Sequence, residues 1–195
     1  MSDEELLSRF QAGEAPAFGT LLVRYRAPLY NFILRYVSNS DTAADLLQDA
    51  FAKVIQSSAS FHEQSKFSTW MYTIARNVCI DHLRKQKHRR HASLDASRSG
   101  DSTPPLAERV PGASPEVDRQ AAGARMRERI AEAVEALPHE QREVFLLRQV
   151  QHLPFAQIAE VVGASENTVK SRMRYALERL QEALADYEDY VRAQA

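Results

Sequence analysis

The sequence predicts an all-α fold: two small helical domains joined by a flexible linker. Three observations carry this. Over the long segments, apolar residues recur at spacings of three and four, the period of a helix with one buried face. Glycine is scarce, six in 195 residues, and runs of alternating β-branched residues are absent. Between residues 92 and 117 the pattern stops, in a stretch with four prolines, two glycines and many serines and little to bury. Domains are therefore expected at 1–91 and 118–195, with 92–117 as the linker. No internal repeat is evident.

Taken in order, residues 3–12 read as a short helix stopped near Gly13. Residues 15–37 carry a helical pattern with Pro28 inside it, where a kink or break is expected because proline has no N–H to donate. A third helix opens on capping residues around Ser40 and Asp41 and places Leu47, Phe51, Val54 and Ile55 on one stripe. A fourth starts near Ser68 and aligns Met71, Ile74, Ala75 and Val78. Past the linker, helices are expected at about 118–136, 139–150, 154–162 and 165–189.

Composition narrows the function classes. The formal charge is −1, but residues 66–98 hold eight basic and two acidic side chains, while the rest of the chain is mildly acidic. Such a block is either a solvated helix face or an electrostatic footprint for an anionic partner. Cys79 is the only cysteine, which excludes an internal disulfide and a thiolate metal cluster, and the six histidines show no ligand spacing. No metal or cofactor is expected. No apolar run approaches the ~20 residues of a membrane span, and the acidic start "MSDEELLSRF" is unlike a signal peptide, so a cytoplasmic chain without membrane contact is expected. No Cys/His pair, carboxylate dyad or phosphate-cradling glycine loop is visible, so the chain reads as a non-enzyme.

The segment "LPFAQIAEVVGASENTVKSRMRYALERL" contains two helical stripes around Gly163, which can take the left-handed conformation that ends a helix. Ser165 caps the second, whose buried side is Val169, Met173, Ala176, Leu177 and Leu180. This is the helix-turn-helix pattern. Opposite Val169 lie Asn167, Lys170, Ser171 and Arg174, with Tyr175 on the flank, in the turns that reach base edges in a major groove. Arg172 sits nearer the core edge, where it could equally form an internal ion pair.

In the first domain a second stripe runs opposite the apolar one. Trp70, Thr73, Asn77 and Arg84 are spaced to stay in line, and the basic tail 84–90 follows. A protein holding unpaired bases uses such a set to stack and bond them, with the polar loop 60–67 closing over an extruded base. A core tryptophan beside a solvated helix end would produce the same pattern. Asp45, Gln48, Asp49 and Lys53 face outward on the preceding helix, an acidic and amide surface better suited to a protein than to DNA.

Together, "DTAADLLQDAFAKV", "SKFSTWMYTIARNVCIDHLRKQ", the linker and "ALPHEQREVFLLRQVQHLPFAQIAEVVGASENTVKSRMRYALERL" resemble the extracytoplasmic-function sigma factors, group 4 of the sigma-70 family of bacterial transcription initiation factors. The likeness spans roughly residues 5 to 190. It implies a sigma-2-like domain in which Asp45, Gln48, Asp49 and Phe51 dock on the β′ clamp of core RNA polymerase. It implies that His62, Glu63, Gln64, Ser65 and Lys66, with Trp70 and Asn77, capture a flipped base of the −10 element, while Arg76, Arg84 and Lys85 hold backbone nearby. It implies a sigma-4-like domain that leans on the β flap and reads the −35 element through Arg148, Asn167, Lys170, Ser171, Arg174 and Tyr175. Promoter DNA, duplex and single-stranded, core polymerase and an anti-sigma factor are the implied partners, and the linker would thread the region near the active site. A DNA-binding regulator acting without polymerase would need no clamp-facing helix. A recombinase fragment would need a nucleotidyl-transfer constellation, and none is visible.

Overall fold

A computed structural model describes the backbone of residues 1–61, 66–93 and 115–185, and the side chains of 1–61, 66–87 and 125–185. Among these residues there are eight α-helices and no strand: α1 (Asp3–Gln11), α2 (Ala15–Val37), α3 (Ser40–Ser57), α4 (Phe67–Ser93), α5 (Pro115–Glu135), α6 (His139–Phe145), α7 (Phe155–Val162) and α8 (Glu166–Ala183). A 3-10 turn, Ser58–Ser60, follows α3, and a π-helical segment, Leu146–Val150, follows α6.

The first half packs α1, α2, α3 and α4 around one core. Phe32, Ile33, Leu21, Leu29, Val54, Phe67 and Met71 are fully enclosed there. A capping box opens α1, in which Ser2 Oγ accepts from the Glu5 N–H while the Glu5 carboxylate accepts from the Ser2 N–H. Arg24 and Tyr25 of α2 both donate to the Asp3 carboxylate and hold α1 down. From α1, Glu4 Oε1 accepts the Phe67 N–H at 3.1 Å, placing a carboxylate at the positive end of α4. Burial pushes the Glu4 carboxyl up, but backbone N–H groups of Glu4 and Phe67 and the Lys66 charge bring it below its ordinary value.

Several expectations change in detail. Asn39, not Ser40 or Asp41, caps α3, its Oδ1 accepting from the Thr42 N–H at 2.8 Å. The helix α2 runs unbroken through Pro28. Ile55 is 46% exposed, because at about 100° per residue it falls outside the arc centred on Ala43, Ala50 and Val54. Leu177 is likewise 46% exposed, on the edge of the α8 stripe formed by Val169, Met173, Ala176 and Leu180. The helix expected over 139–150 is α6 continued by the π-helical segment, where Gln151 N–H reaches the Leu146 carbonyl at 3.2 Å, five residues back. The expected linker, for residues 94–114, and the end of the last expected helix, beyond 185, lie outside the described residues.

In the second half α6, the π-helical segment, α7 and α8 pack together, with α5 against α8. The cap and turn of the helix-turn-helix stand as expected. Gly163 ends α7 at φ 67°, and Ser165 Oγ accepts from the Thr168 N–H at 3.1 Å. A Cβ on Gly163 would meet nothing within 4 Å, so a substitution there strains backbone alone. Gly163→Ala is expected to lower stability by about 1–2 kcal/mol, measured by chemical denaturation of the full chain. Gly163→Asn should recover part of that loss, since asparagine tolerates the left-handed region better than alanine.

Candidate nucleic-acid and protein interfaces

The front of α8 forms one surface. Asn167, Lys170, Ser171, Arg174 and Tyr175 are all exposed while Val169 and Ala176 are fully buried behind them. Each cation is held along its own helix. Lys170 Nζ lies 2.7 Å from Glu166 Oε1, Arg174 Nε lies 3.9 Å from Glu178 Oε1, and the Arg174 guanidinium sits 4.7 Å over the Tyr175 ring. Exposed pairs of this kind exchange readily with water, so the cations can be given up to an anionic ligand. Arg172 behaves differently. It is partly buried and its Nη2 lies 2.6 Å from Glu140 Oε2, tying α8 to α6. Arg148 is half-buried: its Nη1 donates to the Leu153 carbonyl at 3.0 Å and its guanidinium covers the Phe155 ring at 4.9 Å. Both arginines therefore orient the helix pair.

The second surface lies on α4. Trp70 and Thr73 are half-buried, and Asn77, Arg84 and Lys85 are exposed. Trp70 rests on Phe61 and Phe67, with centroids 5.1 and 6.0 Å away, so an aromatic floor joins the described residues on either side of 62–65. Of the loop residues expected to take part, Lys66 is exposed beside Glu4, and His62, Glu63, Gln64 and Ser65 lie outside the described residues. The Thr73 hydroxyl is committed to the Thr69 carbonyl at 2.8 Å.

On α3, Asp45, Gln48 and Asp49 are exposed in a row, whereas Phe51 is 7% exposed and packs edge-on against Phe18. Phe51, Leu47 and Gln48 nonetheless line a groove with Leu22, Val23, Arg26 and Tyr30 of α2. The α2 side of this groove was missed in the sequence. Its signal was Val23, 81% exposed on the side of α2 away from Leu21 and Phe32, an apolar residue with no core to join.

A further set lies where the two halves meet, with α4 packed on α7. Glu143 of α6 is 2% exposed. Its Oε1 accepts from Arg76 Nε at 2.5 Å and from the Tyr36 hydroxyl at 3.0 Å. Burial, then the Glu143 charge, pushes the Tyr36 hydroxyl up, so Tyr36 keeps its proton and donates. The His139 ring meets Tyr36 edge-on at 4.7 Å, and burial is the main effect pulling its imidazole below the ordinary value. Gln151 accepts from the Tyr72 hydroxyl and donates to the Pro28 carbonyl at 3.2 Å. Sequence reasoning missed Glu143; the available signal was a carboxylate in the middle of the stripe that Val144 and Leu147 bury. Arg76, expected at DNA backbone, is here engaged by this carboxylate. Cys79 is fully buried close by, and burial pushes its thiol up to about 12, which keeps it protonated and unreactive.

Fold and surfaces together define an all-α DNA-handling protein with a helix-turn-helix in one half and a basic, aromatic-floored helix in the other. Residues 21–89 match the family Sigma-70 region 2, and residues 127–180 match Sigma-70, region 4. The chain is 31% identical to the RNA polymerase sigma factor CarQ of Myxococcus xanthus over 182 residues, 93% of this chain and 97% of that one. It is 31% identical to the ECF RNA polymerase sigma-E factor of Escherichia coli K12 over 92% of this chain and 93% of that one. A solved complex of the sigma factor RpoE with the anti-sigma factor NepR from Bartonella quintana matches with TM-score 0.65 and 26% identity, covering 86% of this chain and 96% of that one. The chain belongs to the extracytoplasmic-function sigma factors of the sigma-70 family. It is a transcription initiation factor that gives RNA polymerase its promoter specificity.

The Arg172–Glu140 pair spans two helices at a partly exposed site, where such pairs contribute about 1 kcal/mol or less. Arg172→Ala should therefore lower denaturation stability by no more than that. Because this side chain faces α6, duplex affinity measured by fluorescence anisotropy should stay within about twofold.

Proposed function

We propose that residues 118–195 read the −35 element as duplex while residues 1–91 grip polymerase and open the −10 element, with 92–117 joining them. The observation that carries this reading is the coexistence of two unlike nucleic-acid faces in one chain. The exposed front of α8 offers short polar and long cationic side chains to a groove. The α4 face offers an amide at Asn77 and a tryptophan over an aromatic floor, groups that serve extruded bases. Asp45, Gln48, Asp49 and the groove at Phe51 meet the β′ clamp, since an acidic row and an apolar trough suit a protein partner. His62, Glu63, Gln64, Ser65 and Lys66 close over the base, and Arg84 and Lys85 track the backbone.

Melting on this reading needs no catalysis by the chain, because binding extruded bases offsets lost stacking worth a few kcal/mol per step. The protein works in the cytoplasm, where its polymerase is; among the described residues no helix is long and apolar enough to cross a membrane. An anti-sigma factor restrains it, as NepR is bound to RpoE in the solved complex.

The test is transcription by core polymerase on supercoiled genomic fragments with and without the chain. No chain-dependent transcript from any fragment would sink the proposal. Lys170→Ala and Arg174→Ala are each expected to weaken binding to the resulting promoter by about 1–3 kcal/mol if they read base edges, seen as a change in −35 sequence preference. Asn77→Ala should leave closed-complex formation intact and impair opening, which permanganate footprinting of the −10 region reports.

A further inference from the structure

In the arrangement seen here the two promoter-reading halves are packed face to face, and on the function proposed above that arrangement cannot act. Elements centred about 25 base pairs apart lie about 85 Å apart on B-form DNA at ~3.4 Å per pair. A compact chain of this length is only about 40 Å across. With α7 seated on α4, the fronts of α8 and α4 cannot both reach their elements. The halves must therefore part, and the 21 residues between Ser93 and Pro115 allow a covalent reach of up to about 70 Å.

The halves share an apolar core where α4 packs on α7, and buried polar side chains add specific contacts between them. Glu143 is enclosed, its side chain 1% exposed, and it is satisfied by Arg76 and Tyr36, both from the first half. Gln151, at the end of the π-helical segment, takes the Tyr72 hydroxyl proton and gives a hydrogen bond to the Pro28 carbonyl. Both clasping residues come from the stretch that runs from α6 through the π-helical segment. A π-helical turn is rare and shifts the register of every side chain after it, which brings Gln151 under α2. The following residue, His152, has φ 56°, an uncommon conformation for a residue with a Cβ.

The chemistry of the clasp suits a reversible contact. Taking a carboxylate and a guanidinium out of water costs nearly as much as their attraction returns, so a buried pair can part into solvent without a large net loss. An apolar contact of the same size would hold more firmly. Arg76 is also one of the first-half cations expected at DNA backbone, and Glu143 Oε1 occupies its Nε in the closed arrangement.

We propose that Glu143 and Gln151 form an intramolecular latch that keeps the free chain closed, with the Glu143 carboxylate competing with nucleic-acid phosphate for Arg76. Opening frees Arg76 for backbone and lets the two halves separate to promoter spacing. Asn77 and the front of α8 stay exposed throughout, so the latch blocks joint engagement and leaves each face open to single contacts.

The experiment uses the full chain with donor and acceptor dyes on cysteines introduced by Gln56→Cys and Glu182→Cys, both exposed, while Cys79 stays unlabelled because it is buried. Glu143→Gln, Gln151→Ala and the charge control Glu135→Gln are compared, with folding checked by circular dichroism. Glu143→Gln and Gln151→Ala should each lower energy transfer, and Glu135→Gln should not. With a random 20-nucleotide single strand as probe, Glu143→Gln should bind about three- to tenfold more tightly. Its log K against log salt slope should steepen by about 0.7, one released phosphate contact, and Arg76→Gln in the same chain should cancel the gain. Unchanged energy transfer in both latch variants overturns the proposal, as does a fall in energy transfer with no gain in affinity or slope. Failure of the unmutated chain to support transcription would sink the proposed function instead, and the energy-transfer result stands apart from it.

Discussion

One buried charge constrains how the two halves of this molecule meet. Glu143 carries a carboxylate into the stripe that buries Val144 of α6 and Leu147 of the π-helical segment, and it is 2% exposed. An unpaired charge there would cost several kcal/mol. It must either find a cation and a hydroxyl or lead α6 back to solvent. Arg76 and Tyr36 satisfy it, and both lie on the other half of the chain. The halves share one apolar core, and within it the need to pair this side chain adds a specific constraint on how they meet.

The same physics explains the exposed front of α8. Its cations are paired along their own helix and in the open, Lys170 with Glu166 and Arg174 with Glu178. Such pairs are weak and screened, so they keep the side chains extended along the groove-facing side without tying them down. Arg172 and Arg148 are partly enclosed and committed to Glu140 and to the Leu153 carbonyl, and they orient α7 and α8. Burial separates the two exposed cations from the two engaged ones, although all four are basic residues of the same half.

Much of this was legible in the residues. The apolar periods located every α-helix among the described residues, Gly163 and Ser165 marked the helix-turn-helix, and the spacing from Trp70 to Arg84 marked one side of α4. Errors arose at the edges of stripes. Ile55 and Leu177 belong to their patterns by spacing, yet each lies just beyond the arc that its neighbours cover. Asn39 took the capping role one residue before Ser40 because its amide oxygen reaches the Thr42 N–H. The π-helical turn after Phe145 had no sequence signal that a helical period would detect.

Local order is a matter of nearest neighbours along the chain, and the sequence by itself determined most of it: helix spans, the Ser165 cap, the turn at Gly163 and which side of α8 faces outward. What only the tertiary structure decided is which of those outward groups remain free. Arg76 and Glu143 lie 67 positions apart and belong to different halves, so no period or motif relates them. Their meeting depends on how α4, α6 and α7 stack, and on the cost of leaving a carboxylate buried without a partner.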